Sequence, residues 1–195
     1  MTEAAPSKTT PNRPWLRPLM LILALFAIAG TLKLAGVDIR PANVTEVVRA
    51  SGGWGIAVFV VLVVLSNLAQ IPAWVLVLGA GVVWDPITCW LVSYGACLVS
   101  AAITYEVFLR AGGKGLQEID KPWLKRILDG IHAHPIRGVA ILRAFLMIAP
   151  PVTVALALAG LSRRDHIIGT SIGIVIPLTV IVWLLQLGWE LPFGG

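Results

Sequence analysis

Residues 70–81 read QIPAWVLVLGAG, and residues 149–160 read APPVTVALALAG. In both stretches a proline is followed by a glycine nine positions later. The two pairs are Pro72 with Gly81 and Pro151 with Gly160. Proline interrupts a helix, and interrupted backbone at membrane depth is tolerated only where protein or a water-filled cavity satisfies its polar groups. Paired interruptions in the two halves of an apolar chain therefore indicate a transport site.

The composition predicts an integral membrane protein. Of the 195 residues, 57% are hydrophobic and only 13% are charged, and the mean hydropathy is +0.87. Soluble domains carry roughly 25% charged residues. The net charge of +5 lies mainly between apolar runs, where it is typical of topology signals and lipid-headgroup contact and does not indicate nucleic-acid binding. Cys89 and Cys97 would lie about 12 Å apart on one predicted helix, too far for a disulfide between them.

Three long apolar runs predict spanning helices. They cover Leu19–Leu34, Ile87–Leu109 and His166–Trp189. The polar and basic residues 1–17 predict a disordered tail, which leaves residues 18–195 as the membrane domain. Because residues 27–29 resemble a signal-peptidase site, cleavage of the first helix stays an alternative.

Four shorter apolar arms predict two re-entrant hairpins. Each arm would be about 15 Å long as a helix, which is half of the hydrocarbon core. The arms are Ile56–Leu65, Ala73–Trp84, Gly138–Ala149 and Val152–Leu161. We interpret six residues as the hairpin-forming breaks: Pro72, Gly79, Gly81, Pro150, Pro151 and Gly160.

Two polar segments predict further helices outside the spans. A short helix is expected over Pro41–Ala50. In Lys114–Arg137, apolar residues recur at helical spacing with basic residues off that stripe, which is typical of an interfacial amphipathic helix.

The basic residues favour hairpins over two kinked spans. If both segments are hairpins and the N-terminus is cytoplasmic, the basic tail, the loop Arg110–Arg137 and the pair Arg163-Arg164 all face the cytoplasm. If both segments span, the richest basic loop falls outside whenever the N-terminus is inside. The positive-inside rule therefore predicts two opposed hairpins in a bacterial inner membrane, with the N-terminus cytoplasmic and the C-terminus outside.

Arg143 is the first candidate for a substrate contact. It lies about five residues into the predicted second hairpin, and intramembrane arginines normally face a partner or a cavity. Its planar fork would hold a phosphate bidentately. The alternative is that its long side chain extends to the cytoplasmic headgroups. Asn67 and Gln70, at the first break, would offer amide groups to a substrate or satisfy the backbone freed by Pro72.

Three further charged residues complete the candidate set. Glu106 and Arg110 are four residues apart, so they form an intrahelical ion pair or gate a pathway. Asp85 precedes Pro86, which indicates a helix start or the outer end of a pathway.

Neither a metalloprotease motif nor a Walker motif occurs in the sequence. The three histidines, His132, His134 and His166, have no ligand-type spacing with the cysteines and are expected near the surface. We therefore expect no metal, no cofactor and no catalytic site.

The order of several motifs resembles the VTT domain. Residues 79–86, 95–96 and 105–112 (GAGVVWDP, GA and YEVFLRAG) resemble its first half. The residues that resemble its second half are Leu142-Arg143, Pro150-Pro151, 159–161, Gly169-Thr170 and Pro177. Over about residues 56–190 the chain is thus similar to the DedA and SNARE-associated Golgi protein superfamily.

This resemblance implies opposed re-entrant hairpins and the movement of lipids across bilayers. Eukaryotic relatives are phospholipid scramblases, and some bacterial DedA relatives are implicated in recycling undecaprenyl phosphate. DedA proteins typically carry an acid where this chain has Asn67 and Gln70, and a second arginine after the one that matches Arg143. The chain is therefore closer to the SNARE-associated Golgi branch, and neither proton coupling nor a two-arginine phosphate clamp is implied.

The sequence predicts a membrane transporter-like protein that translocates a lipid or lipid phosphate, with anionic lipid headgroups as its partners and homo-oligomers as a further possibility. One alternative is a proton- or cation-linked transporter of small solutes, for which Glu106 and Asp85 would be the deep acids. Another is a membrane-homeostasis or assembly protein that transports nothing.

Overall fold

The computed structural model describes residues 41–112, 129–146 and 150–188, which are mainly helical and contain no strand. A short 3-10 helix, Gly52–Trp54, joins the first two α-helices. The α-helices are α1 Pro41–Ala50, α2 Gly55–Leu68, α3 Trp74–Val83, α4 Pro86–Gly112, α5 Pro135–Leu146, α6 Pro150–Leu158, α7 Arg163–Gly173 and α8 Val175–Gln186. The predicted all-α membrane fold is confirmed.

Two stretches of the described chain are long and apolar enough to span a membrane. They are Pro86–Ala111 and Arg163–Gln186, the second of which contains α7 and α8. The last span begins earlier than predicted, because Ser162 caps it: its hydroxyl accepts the Asp165 amide and donates to the Asp165 carboxylate. The predicted tail 1–17, the span Leu19–Leu34 and most of the amphipathic segment lie outside the described residues.

Helices α2 and α3 form a hairpin. The Phe59 ring, near the start of α2, meets the Trp84 ring, just after α3, edge to face at 5.3 Å between centroids. At the other end, the Asn67 amide donates to the Ser100 hydroxyl of α4 at 2.8 Å. The chain therefore enters along α2, turns beside the middle of α4, and returns along α3.

Helices α5 and α6 form a second hairpin. Val139, near the start of α5, packs in one cluster with Ala159 and Leu161, which follow α6. Deeper in the hairpin, Arg143 donates to the Thr153 hydroxyl at 2.6 Å. Contacts between early α5 and late α6, and between late α5 and early α6, are the pattern of an antiparallel pair.

The bases of the two hairpins lie at opposite ends of α4, which has 27 residues and is therefore about 40 Å long. The base of the first hairpin, at Trp84, directly precedes the start of α4. At the base of the second, the Tyr105 hydroxyl donates to the Leu161 carbonyl and Glu106 pairs with Arg163. Both residues lie in the last turns of α4, so the two hairpins enter the fold from opposite ends.

The first break differs from the predicted one. Gln70 has φ 62°, and the amides of Gln70 and Ile71 donate to the carbonyls of Asn67 and Ser66 at 3.1 and 2.7 Å. This is a Schellman motif, which ends α2 before Pro72 is reached. A residue in the left-handed region thus makes the turn, and Pro72 follows it.

The predicted roles of Gly79 and Gly81 as breaks are wrong, because both lie inside α3. The Gly79 carbonyl accepts the Thr45 hydroxyl of α1 at 3.0 Å. A Cβ on Gly81 would lie 2.7 Å from the Leu185 side chain of α8. Gly160, with φ 73°, does end the return arm of the second hairpin. Gly81 and Gly160 therefore have different structural roles, although each follows its proline by nine positions.

The short helix α1 is confirmed at its predicted residues, and it packs beside the first hairpin. The chain bends by 120° between α1 and α2. Besides the Thr45 bond, the Arg49 guanidinium donates to the Val82 carbonyl at 2.9 Å. A cation at the last carbonyls of a helix stabilises that helix end.

Two glycines let α7 approach α5 closely. A Cβ on Gly169 would lie 2.6 Å from the Val139 Cβ, and one on Gly173 would lie 2.5 Å from the Ala140 carbonyl oxygen and 2.6 Å from the Arg143 Cβ. Small residues at such positions are what allow helix backbones to touch in membranes. This contact holds Arg143 against the end of α7.

Gly173→Ala should therefore destabilise the protein, by roughly 1–3 kcal/mol for an overpacked site. The expected result is a lower Tm of the detergent-purified protein. Gly95→Ala in α4 is the matched control, since nothing lies within 4 Å of a Cβ there and alanine is the better helix former. Equal Tm values for the two variants would contradict the proposed α5–α7 packing.

The opposed hairpins predict opposite accessibility at their bases. Gly53 and Arg164 are both exposed, the first beside α2 and the second in the first turn of α7. In a background without Cys89 and Cys97, Gly53→Cys and Arg164→Cys should react with a membrane-impermeant maleimide from opposite sides of the membrane. Labelling of both positions from the same side of intact cells would contradict the arrangement.

Candidate functional site

The candidate site is centred on Arg143. This side chain is only 1% exposed, although it belongs to an arm that begins at Pro135. Because α5 starts three residues earlier than predicted, Arg143 lies about 12 Å along the helix instead of about 7 Å. It does not extend to a surface, so the headgroup-snorkelling alternative does not describe this structure.

Little in the described residues compensates the Arg143 charge. Its Nη2 donates to the Thr153 hydroxyl of α6, while its buried Nε has no hydrogen-bond partner there. No carboxylate lies within ion-pair distance of it in the described parts of the chain. A buried cation without an anion is strongly unfavourable. Thr153 is a partner that the sequence reasoning did not assign.

Asn67 and Gln70 have structural partners. The Asn67 amide bonds Ser100, whose own hydroxyl donates to the Val63 carbonyl at 3.2 Å. The Gln70 side chain donates to the Asn67 carbonyl at 3.2 Å. Gln70 thus satisfies the end of α2, which was one of its two predicted roles. The side-chain oxygen of Asn67, Oδ1, is buried and has no hydrogen-bond partner in the described residues.

Glu106 forms the predicted ion pair and a second, unpredicted one. Its carboxylate lies 3.5 Å from the Arg110 Nε, one turn along α4, and 2.5 Å from the Arg163 Nε at the start of α7. The carboxylate is thus shared between two arginines and ties α4 to the base of the second hairpin. A gating role for this pair stays a prediction.

Asp85 caps the start of α4, and a helix start was one of its two predicted roles. Its carboxylate accepts the amides of Ile87 and Thr88, both at 3.1 Å. Hydrogen bonds from the Thr88 side chain and amide lower the pKa of this exposed carboxyl. Asp85 and Glu106 lie at opposite ends of α4, so the two acids do not share one site.

The expected surface position of His166 is wrong. The side chain is fully buried, and its ring stacks on Tyr105 with centroids 4.4 Å apart. Since α7 begins at Arg163, His166 lies inside the helix and faces the protein. The sequence contained a signal for this burial, because an ionisable residue within a membrane-spanning helix normally faces the protein interior. Cys89 and Cys97 are free and buried, as predicted.

An apolar groove lies elsewhere in the described residues. It has a volume of about 540 Å³ and runs between α4 and α8, near the start of α4. Its walls are mainly apolar and include Pro86, Trp90, Leu91, Val182 and Trp183. Arg143 does not line it, so the apolar groove and the buried cation are separate features.

The family model for the VTT domain matches residues 71–187, which is more than half of the chain. The chain belongs to the VTT-domain family. This is the domain of the DedA and SNARE-associated Golgi superfamily, and the match does not distinguish between those branches. Searches of curated proteins and of solved structures find no match to this VTT-domain protein.

Gln70→Gly tests the structural role of Gln70 in this VTT-domain protein. Glycine adopts the left-handed conformation without the steric penalty of about 1–2 kcal/mol that other residues carry. We expect an unchanged or higher Tm in detergent and parental activity in any transport assay. A loss of activity at an unchanged Tm would mean that the Gln70 side chain contacts the substrate.

Proposed function

We propose that this VTT-domain protein translocates a lipid or lipid phosphate across the bilayer, without covalent chemistry, and that Arg143 binds the headgroup phosphate. The observation that carries the proposal is the burial of the Arg143 guanidinium with a threonine hydroxyl as its partner and no carboxylate nearby in the described residues. The position of this cation in a re-entrant hairpin matches the placement of substrate sites in transporter folds.

A guanidinium suits this task because its planar fork binds phosphate oxygens with strong, charge-assisted hydrogen bonds. The bound anion would offset the free-energy cost of burying the guanidinium away from water. Thr153 would hold the guanidinium in place until a headgroup arrives. In the described state Arg143 is enclosed, so access requires α6 to move relative to α5.

The end of α6 supplies a hinge and a latch for that movement. Gly160 follows α6 in the left-handed conformation, and the next residues are tied to α4 by the Tyr105–Leu161 bond and the Glu106–Arg163 pair. Breaking the Arg143–Thr153 contact while these bonds hold would open the inner end of the hairpin toward lipid.

The competing functions have less support. A proton- or cation-linked transporter would use Glu106 and Asp85, but the first is shared by two arginines and the second caps α4. A purely structural membrane protein would have no use for an unpaired buried cation. The orientation proposed from the basic residues, with the N-terminus cytoplasmic in a bacterial inner membrane, places the base of the second hairpin on the cytoplasmic side.

The test is lipid translocation in proteoliposomes with Arg143 variants. Arg143→Lys keeps the charge and loses the fork, so we expect partial activity. Arg143→Gln removes the charge, so we expect at least a tenfold lower rate with no loss of folding, because removal of a buried charge does not disfavour insertion. The measurement is fluorescent-lipid translocation at equal protein density.

Arg137→Gln is the matched control, since Arg137 is exposed on the same helix. It should translocate lipid at nearly the parental rate. Equal rates for the parent, Arg143→Lys and Arg143→Gln would remove Arg143 from the site. No translocation by the folded parent with any anionic lipid would contradict the proposed function itself.

A further inference from the structure

A group of buried polar side chains near Arg143 has no assigned role. His166 is 0% exposed, and neither ring nitrogen has a hydrogen-bond partner among the described residues. The backbone of Ala101 approaches the ring without reaching hydrogen-bond geometry. The buried hydroxyls of Thr170 and Thr104 also have no partner in these parts of the chain. Buried polar groups are nearly always hydrogen-bonded, so a cluster of exceptions indicates a ligand or water site.

The helix geometry brings this group toward Arg143. His166, Thr170 and Gly173 lie on one side of α7, because residues three, four and seven apart share a helix face. On that face, a Cβ at Gly173 would lie 2.6 Å from the Arg143 Cβ. The His166 ring also stacks on Tyr105 of α4, the residue after Thr104. The polar cluster therefore lies where α4, α5 and α7 meet.

We propose that His166 and Thr170 form the second half of the anion site and that His166 takes up a proton when the anion binds. This inference rests on the proposed function of Arg143. Arg143 would supply the fixed positive charge, and Thr170 would supply a hydroxyl donor. His166 would supply a group whose charge changes with occupancy.

The physical reason is the mutual influence of two basic groups in one buried site. A neutral imidazole has one donor and one acceptor nitrogen, and the acceptor repels an anion. With the site empty, a protonated ring would add a second positive charge beside the buried Arg143 guanidinium. An anion between the two groups offsets both charges, so the acceptor nitrogen binds a proton and becomes a donor. Anion affinity should consequently rise as the pH falls.

The other titratable and charged groups around His166 are accounted for. The Tyr105 ring of α4 stacks on it, and the next residue, Glu106, is held by Arg110 and Arg163. On its own helix, Arg163, Arg164 and Asp165 lie within the preceding turn, at the exposed end. Of the other described helices that pack against α7, α5 carries Arg143 and the exposed Arg137, and α8 has no titratable residue. His166 is thus the buried group of this set that is free to change its charge.

The experiment uses isothermal titration calorimetry of the full-length protein in detergent, with octyl sulfate and octyl phosphate as probes. Octyl sulfate carries one fixed negative charge between pH 6 and 8, so any proton uptake with this probe belongs to the protein. The parent should bind octyl sulfate about tenfold more tightly at pH 6 than at pH 8. Titrations at pH 6 in two buffers of different ionisation enthalpy should report uptake of close to one proton, and titrations at pH 8 should report much less. Inorganic sulfate and phosphate, run alongside, separate a headgroup attached to a chain from a free anion.

Three variants test which residue takes up the proton. His166→Gln should still bind octyl sulfate at pH 8 within a few-fold of the parent, with less than a twofold change between pH 6 and pH 8 and no proton uptake. Thr170→Val should weaken binding at both pH values and keep the uptake. His134→Gln, which changes an exposed histidine, is the control and should behave as the parent.

The outcomes separate this inference from the function on which it rests. If the parent binds octyl sulfate, Arg143→Gln abolishes the binding and no proton is taken up, then His166 is not part of the site and Arg143 remains its cation. Uptake that persists in a folded His166→Gln variant leads to the same conclusion. If the parent binds neither probe at either pH, the proposed function and this inference both fail. The buffer comparison on the parent protein detects or excludes proton uptake even where a variant does not fold.

Discussion

The structure depends on one constraint: a helix that stops inside a membrane must have its terminal backbone groups satisfied by protein. The first hairpin meets it with a left-handed residue. At Gln70 the chain reverses so that two amides reach back to the carbonyls of α2, and the Gln70 side chain bonds a carbonyl there as well. Asn67 then joins this turn to Ser100 of α4. A helix end that would be too polar for lipid becomes part of a protein contact.

The second hairpin encloses a charged side chain, Arg143, within protein. Glycines on α7 let its backbone touch α5, and that contact encloses Arg143 next to Gly173. The guanidinium is therefore shielded from lipid by protein, which makes its burial tolerable but not favourable. Its hydroxyl partner, Thr153, belongs to the returning arm. In the proposed function, a substrate phosphate would complete the interaction, and the cavity that it needs would open by movement of the same arm.

Helix α4 links the two hairpins. Its first turn is capped by Asp85 beside the base of the first hairpin, and its last turns hold the base of the second through Tyr105 and Glu106. Between these ends, Ser100 receives the tip of the first hairpin. The two half-length segments thus meet a common spanning helix from opposite ends, which is how a polar site is enclosed at depth in a membrane protein.

The sequence by itself determined the membrane class, the spanning helix α4, the half-length arms and the position of an arginine, Arg143, within one of those arms. These follow from apolar run length, from proline and glycine at set places, and from the rarity of intramembrane charge, all of which are local properties. Tertiary structure alone decided what each polar residue does. Glycine spacing marked Gly81 as a break, yet its missing side chain makes room for Leu185 of α8. His166 was expected at the surface, yet the Ser162 cap starts α7 early and turns the ring onto Tyr105. A hydrogen bond or a close approach between distant segments cannot be read from the local sequence around either partner. It depends on which helix packs beside that segment in the folded protein.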